Sequence, residues 1–590
     1  MKLKNLSNWE YTDDLDCMLY FAQSLDEMLF NYTLDSYKAP ALNSHTLCIE
    51  ALIIITEIKQ GIISKGAIDP ILAELDCNLR KDIVSKNILD EQLDFYINKF
   101  KEGLDLDNLY STIELINKSF EERKFLNEAI KILKQKIKSN KEKEKIAILS
   151  RIFVTELINL GYDRNFIYNQ VNSHFFGRDK INSISQLSDF FNIFNFKTYK
   201  YRLTFFVSKL FKEIKEASKT LGLEAYDDIN LNNFSSNIKN YIENLKEDKY
   251  FVSISIEAMD YYSAYHLAEN NIEKIACLFN FFHHKNKLSW KPKILIENLD
   301  QSENLLLNKP DPSILNCKDL RPNKASQDLK KTIKNFELAT DSFNRIDKSL
   351  DLHSYALNTD TLENQLINIW TSFETLLPKK ENIKKDRITQ LKDTMLPFQC
   401  IDYIKKLIQY IQKSLIDWNF KKYAYICKSV EEGDDTLVKI GAFISLAKYD
   451  DLRNEIYTYL SDENYSILIN RIFTLNKNLS SVDSVKELII SHKNRISWHF
   501  QRIYRTRNLI IHSGQLFSFT SVLIENLHSY YDIIIKQIFK LKINENKIDT
   551  LEQAFIESSI RYNNHMEYLE SNKNKNTGEI DFKKVLFGVN

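Results

Sequence analysis

Apolar residues recur at intervals of three and four along most of this chain, which is the spacing of amphipathic helices. In the first part of the chain this spacing predicts helices over residues 15–30, 45–59, 70–87, 91–102, 109–138, 143–160 and 164–176. It returns near the end and predicts helices over 326–348, 361–377, 401–416, 436–447, 455–475, 494–513 and 520–540. Only 11 glycines and eight prolines interrupt the 590 residues, which also favours a mainly helical fold.

The pattern changes in the middle of the chain. Segments 198–207 and 250–256 are typical of strands, and the second alternates strictly from Val252 onward. A helix over 261–282 and a third strand over 293–297 follow, and four prolines between 292 and 322 indicate a domain boundary. We therefore expect a mainly α protein with a small α+β middle domain. The predicted domains are 1–177, helical; 178–325, α+β; 326–545, helical; and 546–590, a C-terminal helix and flexible tail in which 585–587 is a candidate docking segment.

Composition restricts the chemistry to a local site. Lysine plus arginine and aspartate plus glutamate both number 80, so no whole-chain field attracts nucleic acid or a membrane. No apolar run approaches the roughly 20 residues that span a bilayer, and the N-terminus lacks the apolar core of a signal peptide. The seven cysteines are scattered singly, which fits the cytoplasm and predicts no metal site. There is no glycine-rich phosphate loop, so we expect no cofactor.

One stretch departs from this balance. Between residues 493 and 514 there are two histidines and five basic residues but no acid; the basic residues are Lys493, Arg495, Arg502, Arg505 and Arg507. Apolar residues at 496, 500, 503 and 510 predict a helix from about 494 to 513, and Gly514 then occupies the position of a C-terminal cap. A local excess of positive charge on a helix attracts phosphate, so the sequence predicts a binding surface for RNA or nucleotide.

The end of this helix also carries a family resemblance. Arg507, the polar Asn508 directly after it, three more residues and His512 resemble the signature of the HEPN superfamily of RNases. The sequence from Tyr504 to Gly514, with an upstream helix from Trp370 to Leu377, is similar to that of the ApeA-like branch, which is associated with anti-phage abortive infection. The resemblance covers roughly residues 330–545. It implies a HEPN-like helical bundle with endoribonuclease activity, a homodimer or higher even oligomer, and a phage-encoded trigger.

These residue types suit RNA cleavage without a metal ion. RNA supplies its own nucleophile, the 2′-hydroxyl, so the protein needs a proton carrier, for which His512 is suited, and a cation for the developing charge, for which Arg507 is suited. Asn508 would position His512 or a phosphate. The other four basic residues (Lys493, Arg495, Arg502 and Arg505) would bind the flanking RNA. On an ideal helix Arg507 and His512 lie about 140° apart, so a shared site requires a bend or a partner surface.

Several alternatives stay open at this point. The stretch also fits a basic surface helix with a histidine near its end, where the helix dipole favours a cation. The chain would then be a non-catalytic RNA- or nucleotide-binding scaffold or dimerisation protein, or its N-terminal half an unrecognised enzyme. Glu374 is either a plain surface acid or, as the resemblance implies, a polar residue near the active helix. Trp370 is expected in the core, and the basic segment 379–387 is either an RNA guide or a solvated loop.

Overall fold

The computed structural model describes residues 4–10, 13–89, 92–100, 105–232, 234–245, 250–317, 319–378 and 386–588, apart from the side chain of residue 122. The predicted basic segment 379–387 lies outside the described residues except for its last two positions. None of the described helices combines the length and the apolar content that crossing a membrane requires.

Ten helices of the described chain precede the sheet. They are α1 Asp16–Leu29, α2 Ser44–Lys59, α3 Asp69–Lys81, α4 Ile83–Ile88, α5 Leu93–Lys99, α6 Leu106–Phe120, α7 Glu122–Lys138, α8 Lys143–Asn159, α9 Arg164–Phe176 and α10 Gln186–Asn192. In this part of the chain, the segments 70–87 and 109–138, each predicted as a single helix, are divided in two. Asp82 caps a new helix by accepting hydrogen bonds from the N–H groups of Val84 and Ser85. Glu121 has a φ of 28°, which lies outside the α-helical region, so the chain is interrupted between α6 and α7.

The middle of the chain forms one five-stranded antiparallel sheet. Its elements are β1 Tyr199–Phe206, α11 Lys215–Lys219, β2 Leu223–Tyr226, α12 Ser236–Glu243, β3 Phe251–Ala258, α13 Tyr261–Phe282, β4 Lys293–Asn298 and β5 Glu303–Asn308. The strand order is β2-β3-β1-β4-β5, and every pair is antiparallel. The three predicted strands are the central ones, and the predicted helix 261–282 is confirmed. The sequence analysis missed the two edge strands, which lack a sustained run of β-branched residues.

The remaining helices follow the sheet. They are α14 Pro322–Asn335, α15 Thr340–Leu357, α16 Leu362–Leu376, α17 Arg387–Ile401, α18 Tyr403–Trp418, α19 Phe420–Ser429, α20 Thr436–Ser445, α21 Asp450–Asp462, α22 Ser466–Leu479, α23 Val482–Ser513, α24 Thr520–Phe539, α25 Leu551–Ser571 and α26 Phe582–Phe587. The fold is thus mainly helical with one small antiparallel sheet.

The chain divides into two compact units. The first comprises residues 1–156, 175–184 and 312–590, and the second comprises 157–174 and 185–311. The predicted boundaries near 177 and 325 lie close to the ends of the second unit, whereas the N-terminal and C-terminal helices belong together in the first. In the second unit, α13 packs on the sheet and buries Leu203, Val252 and Ile272.

The C-terminal tail corrects one prediction. Residues after about 571 were expected to be flexible, but Asn576 forms a β-bridge with Ser481. The candidate docking segment 585–587 does pack on the protein, because α26 buries Val585 and Leu586 in the core of the first unit. Burial of these apolar side chains supplies the free energy that orders the tail.

Candidate functional site

The basic stretch forms the end of a 32-residue helix, α23. Ser481 caps its first turn by accepting a hydrogen bond from the N–H of Ser484, and Gly514 ends it with a φ of 67°. The predicted end and the predicted glycine cap are confirmed. The helix begins before the predicted residue 494 because Val482, Val485 and Ile489 extend the apolar face, and all three are buried.

The apolar face of α23 anchors this helix in the first unit. Ile496, Phe500 and Ile503 are completely buried, as the spacing predicted. Trp370 on α16 is also fully buried, and its ring centroid lies 5.7 Å from that of Tyr504. Trp370 is therefore a core residue, which confirms its prediction. The position of the polar face of α23 is fixed by this packing.

Arg502 does not lie on the surface. It is 1% exposed, and its guanidinium donates to Glu50 Oε2 at 2.9 Å and to Glu74 Oε2 at 2.5 Å. Burial lowers the pKa of Arg502, but the charges of Glu50 and Glu74 outweigh this and raise its pKa above the ordinary value. The expectation that Arg502 binds RNA is corrected, because the helices α2 and α3 supply two acids that the local sequence lacks.

The other upstream cations also have partners. The guanidinium of Arg505 lies 3.2 Å from Glu57 Oε2 and 3.5 Å from Glu50 Oε1. Arg495 lies 3.0 Å from Asp35 Oδ2, and the ammonium of Lys493 lies 4.5 Å from the centre of the Tyr562 ring. Ion pairs with acids of the N-terminal helices therefore occupy Arg495 and Arg505. The stretch itself contains no acid, but acids from distant parts of the sequence lie next to it in the folded chain.

Two histidines of α23 are buried in the same region. His499 shares a hydrogen bond of 2.7 Å with the hydroxyl of Tyr530, and His492 stacks on Tyr403 at a centroid distance of 3.5 Å. Burial, followed by the charges of Arg495 and Arg502, lowers the pKa of His499 to about 3. Burial and then Arg495 also lower the pKa of His492 well below its ordinary value. Both rings are neutral at neutral pH and belong to the core.

Arg507 has a different environment from the upstream arginines. Its Nη1 donates to Asn508 Oδ1 at 3.0 Å, and its Nη2 lies 3.8 Å from Glu374 Oε2 on α16. Its Nε is buried and has no hydrogen-bond partner within the part of the chain that the structure describes. Glu374 therefore lies beside the candidate site. It faces Arg507 at a distance too long for a strong hydrogen bond.

His512 lies in the last turn of α23 and is exposed. Its side chain makes no hydrogen bond or ion pair with any of the described residues. Asn508 contacts Arg507 and does not position His512. The helix is continuous to Ser513, so one chain does not bring the side chains of Arg507 and His512 together. Two exposed apolar residues flank this end, Ile511 at 44% and Leu516 at 37% exposure.

A second cluster, which the sequence did not predict, consists of the potential metal ligands His353, His528 and Asp532. The cysteines have no paired spacing, and the signal present in the sequence was a histidine and an aspartate four residues apart on one helix. Comparison with known proteins adds no assignment to either site, because no family model, no curated protein and no solved structure matches this chain.

Proposed function

We propose that this protein is a metal-independent endoribonuclease of the HEPN type and an abortive-infection effector against phage in the cytoplasm. The C-terminal helices α15 to α24 would form the HEPN-like bundle, and Arg507 and His512 at the end of α23 would form the active site. The proposal rests on the motif at 507–512 and on the partly unpaired guanidinium of Arg507.

The state of Arg507 is the observation that carries the proposal. Arg502 and Arg505 have carboxylate oxygens within 3.2 Å, whereas the carboxylate beside Arg507 is at 3.8 Å. The Nε of Arg507 is also buried without a partner among the described residues, a state that it shares with the Nε of Arg505. An unpaired buried donor is costly, so its presence favours a ligand that supplies an acceptor. A phosphate oxygen is a suitable acceptor, because guanidinium binds phosphate through two parallel hydrogen bonds.

His512 supplies the proton chemistry in this scheme. The 2′-hydroxyl attacks the adjacent phosphorus while its proton passes to a base, and the bond to the 5′-oxygen breaks as that oxygen takes a proton. His512 is exposed at the end of α23, where RNA has access to its ring. Arg507 stabilises the charge that develops on the phosphate oxygens. The products are a 2′,3′-cyclic phosphate and a 5′-hydroxyl.

A second copy of the chain completes the site in this proposal. Arg507 and His512 point in different directions on one uninterrupted helix, and Ile511 and Leu516 expose apolar surface beside them. A two-fold axis at this end would place the Arg507 of one protomer near the His512 of its partner. The expected assembly is a homodimer or a higher even oligomer.

Alanine substitution tests the catalytic assignment. His512→Ala and Arg507→Ala should each reduce cleavage of RNA by about 10²- to 10⁴-fold, the range for loss of a proton carrier or an electrostatic stabiliser. The matched controls are Arg178→Ala and His284→Ala, which change exposed residues elsewhere and should retain activity. Sequencing of RNA ends that carry a 5′-hydroxyl measures the effect. Full activity in the double variant would instead favour a non-catalytic RNA-binding scaffold.

Mixing experiments test the shared site. An excess of the Arg507→Ala, His512→Ala double variant should inhibit the wild type, because such a mixed dimer contains no intact pair. Mixtures of Arg507→Ala and His512→Ala single variants should instead recover part of the activity, because their mixed dimers contain one intact pair. Light scattering at the assay concentration should report a dimer. A fully active monomer would rule out the shared site.

A further inference from the structure

A compact cluster of potential metal ligands lies between two helices of the first unit. His353 is on α15, and His528 and Asp532 are on α24, one turn apart. One ligand atom from each side chain lies within 4.8 Å of the other two. The Nε2 atoms of the two histidines face each other at 2.9 Å, and Asp532 Oδ1 is 3.8 Å from Nε2 of His528.

We propose that His353, His528 and Asp532 form a binding site for one divalent transition-metal ion, with zinc as the best match. Two imidazole nitrogens and one carboxylate are a common zinc ligand set, in which the fourth position is left to water. Two nitrogens bound to zinc at a tetrahedral angle lie about 3.3 Å apart, close to the separation of the two Nε2 atoms. The nitrogen-rich set favours zinc over magnesium or calcium, which take oxygen ligands.

The surroundings orient each side chain for this role. A hydrogen bond between the ring of His528 and the backbone of Ile314 orients this ring, as outer partners commonly orient metal-binding histidines. The ring of Tyr531 stacks on His353 at a centroid distance of 4.8 Å and holds its plane. Oδ2 of Asp532 accepts from Lys536 at 2.6 Å, which leaves Oδ1 directed at the histidines.

The cluster lies close to solvent at Asp532. The side chain of His528 is 5% exposed and that of Asp532 is 34% exposed. An ion would therefore enter from the Asp532 side, where the carboxylate of Asp532 has room to adjust.

A bound ion would join α15 to α24, and it takes no part in the cleavage chemistry proposed above. Without an ion, His353 contacts α24 through its hydrogen bond with His528 and its stacking on Tyr531. Metal binding is measured without RNA, so this proposal and the ribonuclease proposal fail independently of each other.

The test uses the full chain without a histidine tag, freed of metal by dialysis against a chelator. Zinc is titrated in competition with a chromophoric chelator, and cobalt is titrated by its visible absorption. The wild type should bind one ion per chain. His353→Ala and Asp532→Asn should each weaken zinc binding by more than tenfold. Loss of a residue that only hydrogen-bonds to a metal ligand already costs about 10- to 100-fold in affinity, and loss of a ligand itself should cost more.

The matched control is His266→Ala, which removes a histidine 3.3 Å from a carboxylate in the other unit and should bind zinc as tightly as the wild type. Asp532→Asn preserves the shape of a partly exposed side chain, so circular dichroism should show an unchanged fold. Zinc should raise the melting temperature of the wild type and not that of Asp532→Asn. Absence of stoichiometric binding, or wild-type affinity in Asp532→Asn, would overturn the proposal and leave only the hydrogen bond between two histidines.

Discussion

The two parts of helix α23 use the same residue types for different purposes. Upstream, Arg495, Arg502 and Arg505 lie 2.5 to 3.5 Å from acids of the N-terminal helices. In the last two turns, Arg507 has a carboxylate only at 3.8 Å, and His512 is exposed. The upstream cations pair with acids inside the first unit, whereas Arg507 and His512 have no close ionic partner among the described residues. A local excess of basic residues therefore does not identify a binding site until the acids of the whole fold are known.

The largest difference between the two parts should be in stability. Arg502→Met leaves Glu74 buried without a cation and Glu50 with only the 3.5 Å contact to Arg505, so we expect the free energy of unfolding to fall by about 3 to 5 kcal/mol. Urea denaturation followed by tryptophan fluorescence measures this loss. Adding Glu50→Gln and Glu74→Gln should recover much of it, because the uncompensated charges are then removed. A loss below 1 kcal/mol for Arg502→Met would contradict the structural role.

The next largest effect is expected from acid, which should lower the free energy of unfolding through the two buried histidines of the upstream part. The folded pKa of His499 is about 3 and that of His492 is also lowered, against an ordinary value near 6.5, so the unfolded chain binds more protons than the folded chain. Their contribution to stability is complete above pH 6.5 and falls as the pH is lowered towards 3. Each histidine should cost about 1.4 kcal/mol per pH unit in that range. Urea midpoints between pH 7.5 and 4.5 test this, and a flat profile would contradict it.

The second unit should respond to acid in the opposite sense, which supplies an internal control. Burial and the charge of Asp163 raise the pKa of Asp260 to about 6, so its protonation stabilises this unit as the pH falls from 7 to 5. Hydrogen exchange measured by mass spectrometry resolves the two units. Amides of α23 should lose protection at pH 5 before amides of β1 and β3.

Arg505 should have a smaller effect than Arg502. Its side chain is 15% exposed, so solvent screens its ion pairs, and Arg505→Ala should cost about 1 kcal/mol. The effect should shrink as salt is added, because Arg505 and Glu57 are each 15% exposed. An Arg505→Ala loss as large as that of Arg502→Met would show that the exposure difference does not matter.

The smallest effect on stability is expected at the end of the helix. Arg507→Ala and His512→Ala should change the free energy of unfolding by no more than about 0.5 kcal/mol, since neither side chain has a close ionic partner among the described residues. The same variants should show the largest loss of RNA cleavage. Parallel losses of stability and activity in these variants would remove the proposed distinction between the two parts.

The sequence predicted local features of this fold better than distant ones. Periodicity located the buried face of α23 and the full span of α13, because packing of an amphipathic face depends on neighbouring residues. It could not locate the acids that pair with Arg502, which are 452 and 428 residues away in the chain. Glu374 was placed near Arg507 only through a family resemblance, and the His353 to His528 contact had no local signal at all.

The pairing of Arg502 with Glu50 and Glu74 also sets an order of events on the ribosome. Chains lengthen by about 5 to 20 residues per second, so Arg502 would be synthesised roughly 20 to 90 seconds after Glu50 and Glu74. The second unit ends at Asp311 and can fold during that interval, but the first unit cannot close. Residues 507 and 512 emerge later still, so the residues of the proposed site would join the chain only after every acid that pairs with the upstream arginines.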